Sequence, residues 1–72
     1  MSKYNVKKIG KNLAKIRKEK GVTQAKLCGA IDVTAQQISK IELGINSINA
    51  DMLFSLAKSL KVNVADFYEG CK

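Results

Sequence analysis

Residues 23–44, TQAKLCGAIDVTAQQISKIELG, decide how the chain is read, because they form two short helical patterns on either side of a tight turn. Leu27, Cys28 and Ile31 stand at i, i+1 and i+4, on one side of a helix that starts after Thr23. Val33 follows the turn, and Ile38 and Ile41 mark the inward side of a second helix. Two helices crossing at roughly 90–120° through a turn of three or four residues approach closely, which calls for a small side chain near the crossing. Cys28 meets that demand.

Thr34 is suited to cap the second helix, since its hydroxyl can accept from an unpaired amide while Gln37, three residues on, reaches back as in a capping box. The helix then starts at Ala35, and burying Ile38 and Ile41 leaves Ala35, Gln36, Gln37, Ser39 and Lys40 toward solvent. A face destined only for water would favour paired Glu and Lys. This one has an amide pair, one Lys and no acid before Glu42, which suggests the reading helix of a helix-turn-helix.

Outward from that stretch, Arg17, the GVTQ at 21–24, Leu27, Val33-Thr34, the IxxIExG at Ile38, Ile41, Glu42 and Gly44, the LxxLAxxLxV from Leu53 to Val62, and Asp66-Phe67 form one set. As a set they resemble the lambda Cro/repressor-like, Xre-type helix-turn-helix family over residues 9–68. The resemblance implies an all-α fold, a compact bundle of five short helices with the motif at helices two and three. Helix three would lie in the DNA major groove.

Composition sets the surrounding bounds. With 72 residues the chain holds one small core, read as a single DNA-binding domain over residues 1–72 with its core at 6–68. A 46% hydrophobic share with 26% charge is ordinary for a globular protein, so disorder does not describe the whole chain. The net charge of +7 is unevenly spread: residues 1–31 hold nine bases and one acid, residues 32–72 four bases and five acids. A one-sided positive field favours polyanions, whereas the plainer explanation is a lysine-rich helix kept for solubility. There is no signal-peptide pattern and no apolar run long enough to span a membrane, so the expected location is cytoplasmic. Cys28 and Cys71 are expected as free thiols. With no histidine and no cysteine pair at ligand spacing, neither a metal site, a cofactor nor catalysis is indicated.

Periodicity and caps predict helices over 6–20, 24–31, 35–43, 50–60 and 64–68. Asn5, Thr23, Thr34, Asn49 and Asn63 serve as caps, and Gly21 and Gly44 as stops. Val6, Ile9, Leu13 and Ile16 form the inward stripe of the first helix, with Lys7, Lys11, Lys15 and Lys18 as a ridge on another side. Leu53, Leu56, Ala57, Leu60, Val62, Val64 and Phe67 complete the core.

By the family's pattern Gln36 is the first choice for a base contact, its amide matching the adenine N6/N7 edge. Ala35 could pack on a thymine methyl, and Lys40 could reach guanine or a phosphate. Gln24, Lys26, Thr34 and Gln37, with Asn46 and Ser47 in the following loop, are phosphate candidates, simple solvation being the alternative for each. Arg17 and Glu42 match the family's structural ion pair. The resemblance also implies a homodimer on two half-sites of double-stranded DNA, with Ile48, Met52, Val64 and Tyr68 as interface candidates; packing within the protomer would explain the same residues. The chain departs from the family at Asp32 and Lys61, where glycine is usual, and at Lys26, where an acid is common. A small repressor or phage or mobile-element control protein fits best. An antitoxin-like or adaptor module with secondary DNA binding is the alternative, and the chain is either complete or the N-terminal piece of a longer repressor. A membrane-surface or RNA-binding role for the first helix is disfavoured by its lack of aromatic anchors.

Overall fold

The computed structural model describes residues 6–70, so the expected Asn5 cap and Cys71 lie outside the described residues. Helices α1 (Val6–Glu19), α2 (Gln24–Ile31), α3 (Ala35–Glu42) and α4 (Ala50–Leu60) are followed by a 3-10 segment, Val64–Tyr68. No strand occurs among the described residues. Each element gives the centre one fully buried side chain: Leu13, Leu27, Ile38, Leu56 and Phe67. Ile9, Ile41, Leu53, Ala57 and Leu60 extend that core, Ile16 packs at its edge, and Val6 is half-buried.

Three of the expected caps, Thr23, Thr34 and Asn49, accept a helix amide as the sequence places them. Thr23 Oγ accepts from Lys26 N at 3.1 Å, Thr34 Oγ from Gln37 N at 3.0 Å, and Asn49 Oδ1 from Met52 N at 2.7 Å. Each satisfies an amide that the first turn of a helix leaves unpaired. Asp32 and Lys61 end α2 and α4 in the left-handed conformation, at φ 58° and 59°. The conformation is thus the one glycine would adopt, carried by a side chain.

Two boundaries shorten and one element changes type. Helix α1 stops at Glu19, and α3 at Glu42 with Leu43 as its C-cap. The expected fifth helix is a 3-10 turn, so the described residues hold four α-helices rather than five. Its Asp66 N–H bonds three residues back to Asn63 O at 3.0 Å, and the Asp66 carboxylate accepts from Asn63 N at 3.2 Å. Two carbonyls at the end of this segment are held by a side chain from α1. Buried Asn12 of α1 donates its side-chain amide to Phe67 O and to Glu69 O, both at 2.8 Å. This clamp, joining positions 55 and 57 residues apart, was not foreseen from the sequence.

Candidate nucleic-acid interface

Helix α3 sits with Ile38 and Ile41 in the core and Ala35, Gln36, Gln37 and Lys40 exposed, so the proposed readers do share an outward face. Ser39 is half-buried at its edge. What gives that face a fixed aim is the mounting of the helix at its two ends.

At the C-terminal end Glu42 is the hub. Its Oε2 accepts from Arg17 Nε at 2.6 Å, and its Oε1 accepts from Arg17 NH2 at 3.1 Å and from Gln24 Nε2 at 2.9 Å. Arg17 NH1 also donates to Val22 O at 2.9 Å, tying down the loop between α1 and α2. The paired side chains are only 10% and 8% exposed, so this bidentate pair is largely withdrawn from water. Hydrogen bonding to Glu42 raises the Arg17 pKa above its already high ordinary value, outweighing the lowering by desolvation. A raised base stabilises the fold below its ordinary pKa and loses that contribution only as pH climbs through the raised one. Arg17 therefore remains charged throughout the neutral range.

Gly10 lets α1 lie directly against this end of α3. A Cβ there would stand 2.2 Å from Ile41 O and 3.0 Å from Glu42 O, so hydrogen is the only substituent the approach admits. Two residues beyond Glu42, Gly44 at φ 78° is backed by Lys7, whose Cα and Cγ lie 2.9 and 2.6 Å from where a Cβ would be. The fold thus brings the start of the α1 lysine ridge beside the end of α3. Neither contact was read from the sequence, although a glycine within a helical pattern is itself a signal of close packing.

At the N-terminal end the contacts are local. Thr34 and Gln37 close a reciprocal box, with Gln37 Oε1 accepting from Thr34 N at 2.9 Å while Gln37 N bonds Thr34 Oγ. The turn is held by Val33 N donating to Cys28 O at 3.2 Å. Cys28 itself is half-buried against the core, its thiol donating to Ala25 O at 3.1 Å. With its oxygen engaged, Gln37 has its amide protons to offer an acceptor, and Gln24 likewise keeps one proton beyond the Glu42 bond. Lys26, Thr34, Asn46 and Ser47 are exposed.

The four interface candidates Ile48, Met52, Val64 and Tyr68 are half-buried and pack on the core. Ile48 and Tyr68, with Val6, Ile9 and Leu53, line a cavity of about 120 Å³. The large apolar side chains most open to solvent are instead Leu43, Ile45 and Phe54. None of these three was singled out by sequence. Among the described residues, no helix is long and apolar enough to cross a membrane, and no cluster of His, Cys, Asp or Glu could hold a metal ion.

A family model described as helix-turn-helix matches residues 13–67. The chain belongs to the helix-turn-helix family. An uncharacterized HTH-type transcriptional regulator of Rickettsia conorii is 40% identical over 62 residues, covering 86% of this chain and 50% of the relative. This helix-turn-helix chain spans about half the length of the curated relatives it matches first. Among solved structures, the clp gene regulator ClgR of Corynebacterium glutamicum superposes with a TM-score of 0.82 at 31% identity, over 85% of this chain and 65% of that one. The restriction-modification controller protein C.AhdI of Aeromonas hydrophila has the same fold, with a TM-score of 0.85 at 20% identity over 89% and 93% of the two chains. The chain therefore carries the DNA-binding helix-turn-helix fold found in transcriptional regulators.

Proposed function

We propose that this single domain is a sequence-specific reader of double-stranded DNA that inserts α3 into the major groove, as a repressor or a phage-type or mobile-element control protein. The observation that carries the reading is the exposed polar face of α3, an amide pair with one lysine and no acid, mounted at the Glu42 end by α1 and α2. Gln36 reads a base edge, with Ala35 on a thymine methyl and Lys40 at guanine or a phosphate. Gln24, Lys26, Thr34, Gln37, Asn46 and Ser47 hold the sugar-phosphate backbone, which sets register without reading sequence. One such domain touches few base pairs, so two copies would read half-sites about 34–36 Å apart. In this reading the protein works as a homodimer in the cytoplasm, without metal or cofactor and without catalysis.

The test is selection from random duplex DNA. Enrichment of a two-fold related site supports the proposal, and failure to enrich any such site counts against it. Gln36→Ala should relax preference at one base position, whereas Lys26→Ala should weaken all sequences alike and reduce the salt slope by about 1. If the two variants behaved identically, the division between readers and positioners would be wrong.

A protein-interaction module of the antitoxin or adaptor kind remains the second reading, because Phe54 is 64% exposed on α4. A stable complex that Phe54→Ser abolishes, together with DNA binding of no sequence preference, would favour it.

A further inference from the structure

The outward stripe of α3 does not end with Lys40. Leu43 N bonds Ser39 O at 3.0 Å, and Leu43 has φ −83° and ψ −6°, so helical geometry runs one residue past Glu42. At about 100° per residue, Gln36, Lys40 and Leu43 fall on one side of the helix, opposite Ile38 and Ile41. Leu43 is 63% exposed there.

The chain then leaves through a Schellman-type ending, with Ile45 N on Lys40 O at 2.9 Å and Gly44 N on Ile41 O at 3.0 Å. Such endings are commonly closed by an apolar contact across the motif, between the positions held here by Ile45 and Lys40. With lysine at one of them that closure is missing, and Ile45 is left 65% exposed. Lys7 behind Gly44 keeps this ending seated against α1. Leu43 therefore stands at the end of a polar reading stripe, one turn on from Lys40, and exposed Ile45 follows it beyond the glycine that Lys7 backs.

We infer that Leu43 is a further specificity-determining residue, making van der Waals contact with the 5-methyl group of a thymine in the major groove. The inference rests on the proposed reading of DNA by α3. The thymine methyl is the one apolar group that base edges offer in that groove. Basic neighbours suit a DNA surface, and continuity with Gln36 and Lys40 puts Leu43 on the same face. Seven residues of helix advance about 10 Å, or roughly three base-pair steps, so the thymine lies about that far from the base Gln36 reads.

The experiment uses the site recovered by selection, with each thymine replaced in turn by deoxyuridine, which removes the methyl and nothing else. With the unaltered protein, one replacement about three base pairs from the Gln36-sensitive position should weaken binding about three- to fivefold, the worth of one buried methyl group. In Leu43→Ala that replacement should have no further effect, while a methyl dependence at the Ala35 position persists. Circular dichroism and melting should show Leu43→Ala folded as before, since the side chain is exposed. Equal losses for Leu43→Ala on sites with and without the methyl would overturn the inference. So would a change in self-association by equilibrium sedimentation with the methyl dependence intact, which would assign the patch to a protein partner. Recovery of no site overturns the DNA reading and this inference with it, whereas a site blind to the Leu43 methyl test overturns the inference alone.

Discussion

The two ends of α3 are held by different kinds of contact. At the Glu42 end the partners come from far along the chain, Arg17 lying 25 residues away and Gln24 18, and α1 comes close enough that only Gly10 fits. At the Thr34 end the capping bonds span three residues and the side chains are exposed. The first end decides whether the helix is mounted at all, and the second tunes where it begins. Changes at the Glu42 end should therefore appear as loss of the fold, and changes in the turn as altered binding on an intact one.

The largest expected effect is at the ion pair. Arg17→Ala would leave the Glu42 carboxylate buried with only Gln24 as partner, at a cost of about 3–5 kcal/mol, which is comparable to the whole stability of a domain this small. Thermal unfolding should show Arg17→Ala and Glu42→Ala largely unfolded or melting far below the parent. The double variant Arg17→Met/Glu42→Met should be more stable than either single methionine variant, because it leaves no buried charge unpaired. Additive losses would mean that the pair acts as two separate surface charges.

Next in size is Gly10→Ala, for which overpacking costs typically about 1–3 kcal/mol and here presses on backbone oxygens rather than on a movable side chain. The control is Gly29→Ala in α2, where a Cβ would meet nothing within 4 Å. With helix propensity alone at work, that change should stabilise by about 0.5–1 kcal/mol. The same substitution should thus shift the melting temperature in opposite directions in the two helices. A matching gain in both would show that α1 and α3 are less closely packed than the structure has them.

The same contrast explains what could be read from sequence. Capping by Thr23, Thr34 and Asn49, and the boundaries of α2 and α4, follow from chemistry within three or four residues, and they were legible. Asn12 looks like any polar residue on a helix, and nothing near it in sequence announces that its partners are Phe67 O and Glu69 O. Gly10 differs from Gly29 only through what faces it across the fold. The Arg17–Glu42 pair was reachable through resemblance to a family, since spacing alone does not select one acid for one base. Of the proposed interface, the outward side of α3 followed from the places of Ile38 and Ile41. The exposure of Leu43 and Ile45 did not, because it depends on how the helix ends and on which residue stands across that ending.

The smallest effect on stability, and the most informative about aim, is expected in the turn. Asp32 adopts φ 58° with its side chain exposed, a conformation that costs an L-residue about 1–2 kcal/mol and aspartate somewhat less. Glycine removes that strain but loses more freedom on folding, so Asp32→Gly should gain only about 0.5–1 kcal/mol, a few degrees in melting temperature. Asp32→Asn removes the charge while keeping a side chain that tolerates the left-handed region, so it should leave stability nearly unchanged. If the turn faces phosphate, both variants should bind every duplex more tightly, with the gain fading as salt is raised. A gain confined to Asp32→Gly would mean that backbone strain, rather than charge, sets how α3 is seated. A change of preferred sequence in either variant would show that the weakly held Thr34 end, and not the Glu42 mount alone, determines which bases the helix meets.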